Sequence, residues 1–502
     1  MRRFFFAACV NFLTVTFAFA ARPFPPELDA YIEKARVEWD VPGLAIVIVD
    51  ADGIIAAKGY GVRKLGAPER VDENTHFDVA SLSKSFNAAM IATLVDEKKL
   101  RWDDKVRDVV PAIAFPDPVR DSEVTLRDLL AHRVALEPAN LLLRLSGYDR
   151  AETFRRIRYF RPRGALRSDF VYANIAFSVS GAMAEAVTGE TWASLVRKRL
   201  LQPLGMIATN ADENLDVQNA ASPHAVLDGV QQPIRHFRFT TVAPASGIVT
   251  TPLDLAKWLR FQLGDGTWDG KRIISAAAME EMHSPQMIIP TTPQMRAGRG
   301  VDFFAAYGLG WQVFDYHGRP MFWHSGNGDG MPVYMAILPK EKLGVAVLIN
   351  TWGAPFLHGA LASRIFDTLL GLPLRDTSGE ARPGYLRQQK AAAEARAEQE
   401  KNRAAGTHPG APLDAYAAVY SDPLYGDMTI TRDGDHLVLR FAVGELADLS
   451  HWQNDSFAVR WRDPVFREDY PVFANFTLDE NGRPSRFEMQ MYRDRIEATR
   501  KP

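Results

Sequence analysis

Phe77-Asp78-Val79-Ala80-Ser81-Leu82-Ser83-Lys84, continued by a helix-compatible run to about Leu100, carries the single S-x-x-K of this 502-residue chain. A serine at a helix start gains free amide donors and the positive end of the helix dipole. A lysine three residues on lies on the same helical face, about one turn away. That spacing sets an amine against the hydroxyl it can help to deprotonate. A serine that only caps a helix has the same local pattern, so the rest of the chain has to separate the two readings.

Two further short elements do so. Tyr172-Ala173-Asn174 is the single Y-x-N, and an apolar helix-like run from Ile175 to Ala186 follows it. A phenol titrates near 10 and a lysine near 10.4, so neither is a base at neutral pH unless its surroundings change it. Placed together and desolvated, each alters the other, and the pair titrates as a unit whose proton the sequence does not assign. Asn174 offers an amide to Lys84 and to a substrate carbonyl. His324-Ser325-Gly326 stands ahead of a strand-like run from Pro332 to Leu338. Glycine at 326 would let substrate approach the backbone closely. The N–H of Asn327 would then join that of Ser81 as an oxyanion hole.

In this order the three elements resemble the serine β-lactamases and DD-peptidases, most closely the class C β-lactamase-like branch. Val41-Pro42-Gly43-Leu44, residues 126–133 (LRDLLAHR), Pro203-Leu204-Gly205-Met206, residues 307–311 (YGLGW) and Leu338-Pro339 add to the resemblance, which spans roughly residues 25–370. It implies Ser81 as acylated nucleophile and Lys84 and Tyr172 as proton carriers. It assigns Asn174, His324, Ser325 and Gly326 to substrate positioning. Two departures stand out. His324 replaces the usual lysine, which implies esters or D-configured peptides in preference to β-lactams, and better uptake of carboxylates as pH falls and the imidazole charges. Val134-Ala135 replaces a small residue and glycine, which puts the local loop shape in question.

The surrounding pattern implies an α+β class. Helical spacing of Leu28, Ile32 and Ala35 precedes two strand-like runs, 44–49 and 54–60, around an Asp-Gly turn. Residues 125–265 read mainly as helix, and strands return at 332–338 and 343–349. The expected fold is β-lactamase/transpeptidase-like: an antiparallel sheet flanked by helices, with a helical subdomain, over residues 21–372. Residues 373–412 read as a charged helical linker, solvated from Tyr385 to Ala405, that separates two self-contained cores. Residues 413–502 alternate in short runs around Asp433-Gly434 and Asn481-Gly482, which suggests a small all-β barrel or sandwich. With Tyr425-Gly426-Asp427 and His451-Trp452 it looks like the lipocalin-like domain of some peptidases of this family.

Arg2 and Arg3 ahead of an apolar run, ending in Ala18-Phe19-Ala20, make residues 1–20 a secretory signal peptide. The expected location is the periplasm or the exterior, with no stable membrane insertion after cleavage. The single cysteine, Cys9, lies in that leader, so the remaining chain has no thiol chemistry. A net charge of -2 gives no field for nucleic acid. No G-x-S-x-G, H-E-x-x-H or G-x-G-x-x-G occurs, so neither metal nor cofactor is expected. The expected partners are a small-molecule or peptide substrate and, through the C-terminal domain, further copies of the chain. The expected activity is peptidase, carboxypeptidase or esterase, with β-lactamase or a non-turnover penicillin-binding sensor as alternatives.

Overall fold

Gly43–Val49 (β1) is apolar at every position because both of its faces are covered. Leu44, Ile46 and Ile48 point into one core with Leu28 and Ile32 of Pro26–Glu38 (α1), while Ala45, Val47 and Val49 point into another. The computed structural model describes residues 22–238, 240–292, 304–466, 471–491 and 493–502, and the expected leader lies outside the described residues. β1 belongs to an antiparallel sheet with Ile54–Gly61 (β2), Met287–Ile288 (β3), Ala305–Tyr307 (β4), Gln312–Tyr316 (β5), Arg319–Gly328 (β6), Met331–Leu338 (β7) and Leu343–Ile349 (β8). The order is β2-β1-β8-β7-β6-β5-β4-β3, with Leu44 opposite Ile349. Ser83–Asp96 (α2), Asn174–Thr188 (α3) and Pro252–Leu263 (α4) lie on one side of it. α1 and Leu357–Leu370 (α5) cover the other.

The linker helix, Thr377–Lys401 (α6), starts earlier than its composition suggested and carries Pro383 within it. The reason is local docking. Asp376 caps the helix by accepting from the Gly379 N–H, the Trp39 indole donates to Ser378 Oγ at 2.9 Å, and Tyr385 stacks on Trp39. Beyond Leu386 the helix is mostly exposed, as its polar composition requires.

Eight strands, Ala418–Asp422 (β9), Gly426–Asp433 (β10), His436–Arg440 (β11), Leu446–Gln453 (β12), Ser456–Trp461 (β13), Val472–Leu478 (β14), Pro484–Met491 (β15) and Asp494–Arg500 (β16), form a closed barrel. Each pairs with the next, and Tyr420 opposite Arg500 closes the ring. Trp461 is buried within it, a packing residue.

The expectation of two self-contained cores is corrected by the docking of the barrel. Its buried residues are continuous with those of the helical part. Polar contacts reinforce the join: the Leu141 N–H donates to Asp494 Oδ2 at 2.6 Å, Arg156 to the Pro423 carbonyl and Arg161 to the Arg495 carbonyl. Arg144 reaches both Asp329, next to β6, and the barrel's Val465 carbonyl. The linking helix α6, of 25 residues, is about 38 Å long at ~1.5 Å per residue, and just beyond it Arg403 donates to the Trp452 carbonyl of the barrel. No helix among the described residues is long and apolar enough to cross a membrane.

Candidate active site

Ser81 sits in a 3₁₀ turn, Ala80–Leu82, that runs directly into α2. Ala80 adopts φ 43°, a left-handed backbone that alanine resists. Asp78 holds it there: Oδ1 accepts from the Ala80 N–H at 2.7 Å, and Oδ2 lies 3.0 Å from His236 Nε2. Burial opposes charge on His236, but the hydrogen bond and charge of Asp78 prevail and raise its pKa.

One turn along α2, Lys84 is fully buried. Its Nζ lies 3.0 Å from Ser81 Oγ, 2.8 Å from Asn174 Oδ1 and 3.1 Å from the Ala245 carbonyl. Nζ also stands 4.6 Å from the centre of the Tyr172 ring. Burial holds the amine well below the ordinary lysine range. The Tyr172 phenol is pushed up by burial, against a hydrogen bond to Ser81 that favours its ionised form. Desolvation therefore acts on both partners in one sense, toward a neutral amine and a neutral phenol. Ser83 belongs to the scaffold: it is buried, and its Oγ accepts from the Ile248 N–H.

His324 departs from its expected role as a substrate contact. It is 1% exposed. Nδ1 lies 2.6 Å from the Ser325 carbonyl and Nε2 lies 2.9 Å from Tyr307 Oη. A carbonyl only accepts, so Nδ1 carries the proton and Nε2 accepts from the phenol. Both ring nitrogens are used inside the protein. Burial, aided by Lys84, lowers the pKa to about 3, so the expected charging of His324 as pH falls toward 6 is also corrected.

Gly326 is required for a different close approach from the one expected. A Cβ there would meet the Val79 carbonyl oxygen at 2.3 Å, so the neighbour is the protein's own backbone. At Gly328 a Cβ would meet the Asp78 carboxylate at 2.9 Å, a side chain and not backbone. Asn327, exposed between these two glycines, is thereby set beside the turn that carries Ser81, opposite Pro332. Ser325 shares its face of β6 by strand alternation and is half-buried.

His132 and Tyr307 belong to the site and were not singled out by the sequence reading, although both fall within stretches that carry the family resemblance. The His132 ring is buried 4.2 Å from that of Tyr172 and 4.9 Å from that of Tyr307, and Nδ1 accepts from the Ala173 N–H at 3.2 Å. It props the tyrosine from behind, uncharged, because burial and then Lys84 and His324 lower its pKa. His132 and Ala135 both have positive φ, 54° and 56°. Ala135 thus keeps the left-handed turn that a glycine would adopt freely. Arg120 braces it with bonds to the carbonyls of Val134, Ala135 and Gly164. Among the described residues, no group of three or more His, Cys, Asp or Glu side chains could hold a metal ion.

This arrangement agrees with comparisons to known proteins. The Beta-lactamase family model matches residues 28–370, and a domain of unknown function, DUF3471, matches residues 402–500. Penicillin-binding protein 4 of Amycolatopsis lactamdurans is 27% identical over 361 residues, 70% of this chain and 90% of that protein. Unguisins hydrolase ungD of Aspergillus violaceofuscus is 24% identical over 383 residues, 70% of this chain and 66% of that protein, so just under two thirds of its length is covered. The octameric penicillin-binding protein homologue from Pyrococcus abyssi superposes with a TM-score of 0.61 at 22% identity, covering 94% of this chain and 99% of that one. With a family match running from α1 through α5, across the whole catalytic sheet and every motif residue, the chain belongs to the beta-lactamase family.

Proposed function

We propose that this protein is an exported serine hydrolase that cleaves esters or D-configured peptides through an acyl-enzyme on Ser81. The observation that carries this reading is the buried Lys84 amine, its pKa lowered by burial, held between Ser81 Oγ and Asn174 Oδ1. Ser81 Oγ attacks the substrate carbonyl and its proton passes to Lys84 Nζ. The N–H groups of Ser81 and Asn327 receive the oxyanion. The Tyr172 phenol gives a proton to the departing group and is restored through Lys84. Water then attacks the acyl-enzyme by the reverse route. The names of the relatives, a hydrolase and a penicillin-binding protein, support acyl transfer. The substrate preference rests on His324, which lacks the permanent ammonium a lysine would place there. Export rests on the leader in residues 1–20, and assembly through the barrel is proposed by analogy with the octameric homologue.

A fluorophosphonate probe should add its mass to the peptide containing Ser81, and Ser81→Ala should abolish the label. Label persisting in that variant overturns the assignment. A penicillin that labels without release would favour the sensor reading over turnover.

The pH dependence is a further expectation. For a p-nitrophenyl ester, kcat/KM should rise with pH as Lys84 loses its proton, with that limb well below the usual lysine range. The phenol of Tyr172, pushed up by burial, stays protonated over the same interval. No step should come from His324 above about pH 3. An inflection near pH 6.5 that disappears on replacing His324 would contradict this.

A further inference from the structure

A pocket of about 580 Å³ opens beside Tyr172, and its walls come from both halves of the molecule. Phe170, Tyr172 and Arg163 line it from the catalytic part, and Gln490, Arg493 and Arg495 from β15, β16 and the turn between them. No carboxylate is among the lining residues. Arg495 is neutralised by Glu488 and Glu497. Among the described residues neither Arg163 nor Arg493 has a carboxylate within ion-pair distance; Arg163 bonds to the Arg493 carbonyl and acts only at longer range on the buried Glu137 and Asp494.

The turn that presents Arg493 is held with care. Arg493 itself has φ 67°, a left-handed backbone that a non-glycine residue resists. The next residue, Asp494, is fully buried and accepts from the Leu141 N–H of the catalytic part. Burial raises its carboxyl to about 7, so the anchor itself is costly to keep charged. The positive φ and the buried anchor together fix the position from which Arg493 projects.

Resting on the acyl-enzyme reading above, we propose that this interdomain pocket is a carboxylate subsite, in which Arg493 of the barrel, with Arg163, binds the free carboxylate of a peptide-like substrate whose carbonyl lies at Ser81. The positive charge missing at His324 is thereby supplied from the other domain, at a different place relative to the nucleophile. The barrel becomes part of the specificity apparatus.

The test uses the full chain and fluorophosphonate labelling of Ser81, with N-acetyl-D-alanine, N-acetyl-D-alaninamide or benzylpenicilloate as competitor. In wild type, N-acetyl-D-alanine should protect at least ~10-fold better than its amide, as expected for a charge-assisted pair. In Arg493→Gln, and more completely in R163Q/R493Q, that discrimination should fall to within about two-fold. Stronger protection by benzylpenicilloate than by N-acetyl-D-alanine would assign the subsite to a β-lactam-type carboxylate and overturn the peptide reading. Equal protection by acid and amide in wild type, or discrimination that survives the double substitution, would overturn the subsite altogether. Absence of Ser81 labelling would instead refute the nucleophile. Calorimetric titration of N-acetyl-D-alanine into wild type and R163Q/R493Q would then still decide the pocket.

Discussion

Lys84→Met should slow acylation of Ser81 by roughly 10²–10⁴-fold, the range for loss of a positioned base. Methionine fills nearly the same buried volume, so the effect should fall on chemistry and leave the fold in place. The amine stands within hydrogen-bonding distance of Ser81 Oγ, and burial lowers the cost of keeping it unprotonated. Tyr172→Phe should lose a similar factor, because the phenol bonded to Ser81 is the remaining proton carrier. The double variant should be little worse than either single one, since groups acting as a unit are not additive. Stopped-flow release of p-nitrophenol, with circular dichroism as the fold control, measures all three. Near-full acylation in either single variant, with an intact fold, would refute the coupled pair.

Arg144→Ala should cost about 3–5 kcal/mol of unfolding free energy, the usual penalty for breaking a buried ion pair from one side. The Arg144 side chain is 11% exposed and that of Asp329 3%, and their closest approach is 3.1 Å. Burial pushes the Asp329 carboxyl up in pKa while Arg144 pulls it back. The guanidinium also lies 5.3 Å from the Phe237 ring and 5.1 Å from the Phe466 ring, so its removal loosens the barrel as well as β6. Replacing both partners by apolar residues should cost much less than Arg144→Ala alone. Urea unfolding of the full chain reads these differences. A loss below ~1 kcal/mol for Arg144→Ala would mean that the pair is not a structural link.

Ser81, Lys84, Tyr172 and Asn174 stand out in the sequence because each lies in a short stretch whose order along the chain is informative, and the structure gathers them around Lys84 Nζ, 3.0 Å from Ser81 Oγ, 2.8 Å from Asn174 Oδ1 and 4.6 Å from the centre of the Tyr172 ring. The start of the catalytic sheet was legible for a simpler reason: the strand-like runs 44–49 and 54–60 flank an Asp-Gly turn, and they pair as the antiparallel hairpin β1–β2. His324 was legible as a site residue but not in its role. Its partners, Tyr307 and the Ser325 carbonyl, decide the tautomer, and a tripeptide motif carries no information about either. Gly326 misled in the same way, since the atom that needs the space belongs to Val79, a residue about 250 positions away in the chain. The docking of the barrel left no pattern of its own. Arg144, Arg156 and Arg161 look like solvated surface arginines, and only tertiary structure shows them bonded to carbonyls of the barrel.

The pairing of β1 with β8 has a consequence for biosynthesis. Leu44 finds its partner only when Ile349 has been made. At roughly 5–20 residues per second, the roughly 300 intervening residues take about 15–60 s to synthesise. Throughout that interval β1, apolar at every position, has an unpaired edge toward its missing neighbour. The length of that wait is set by the ribosome, and β1 is exposed to wrong pairing for the whole of it.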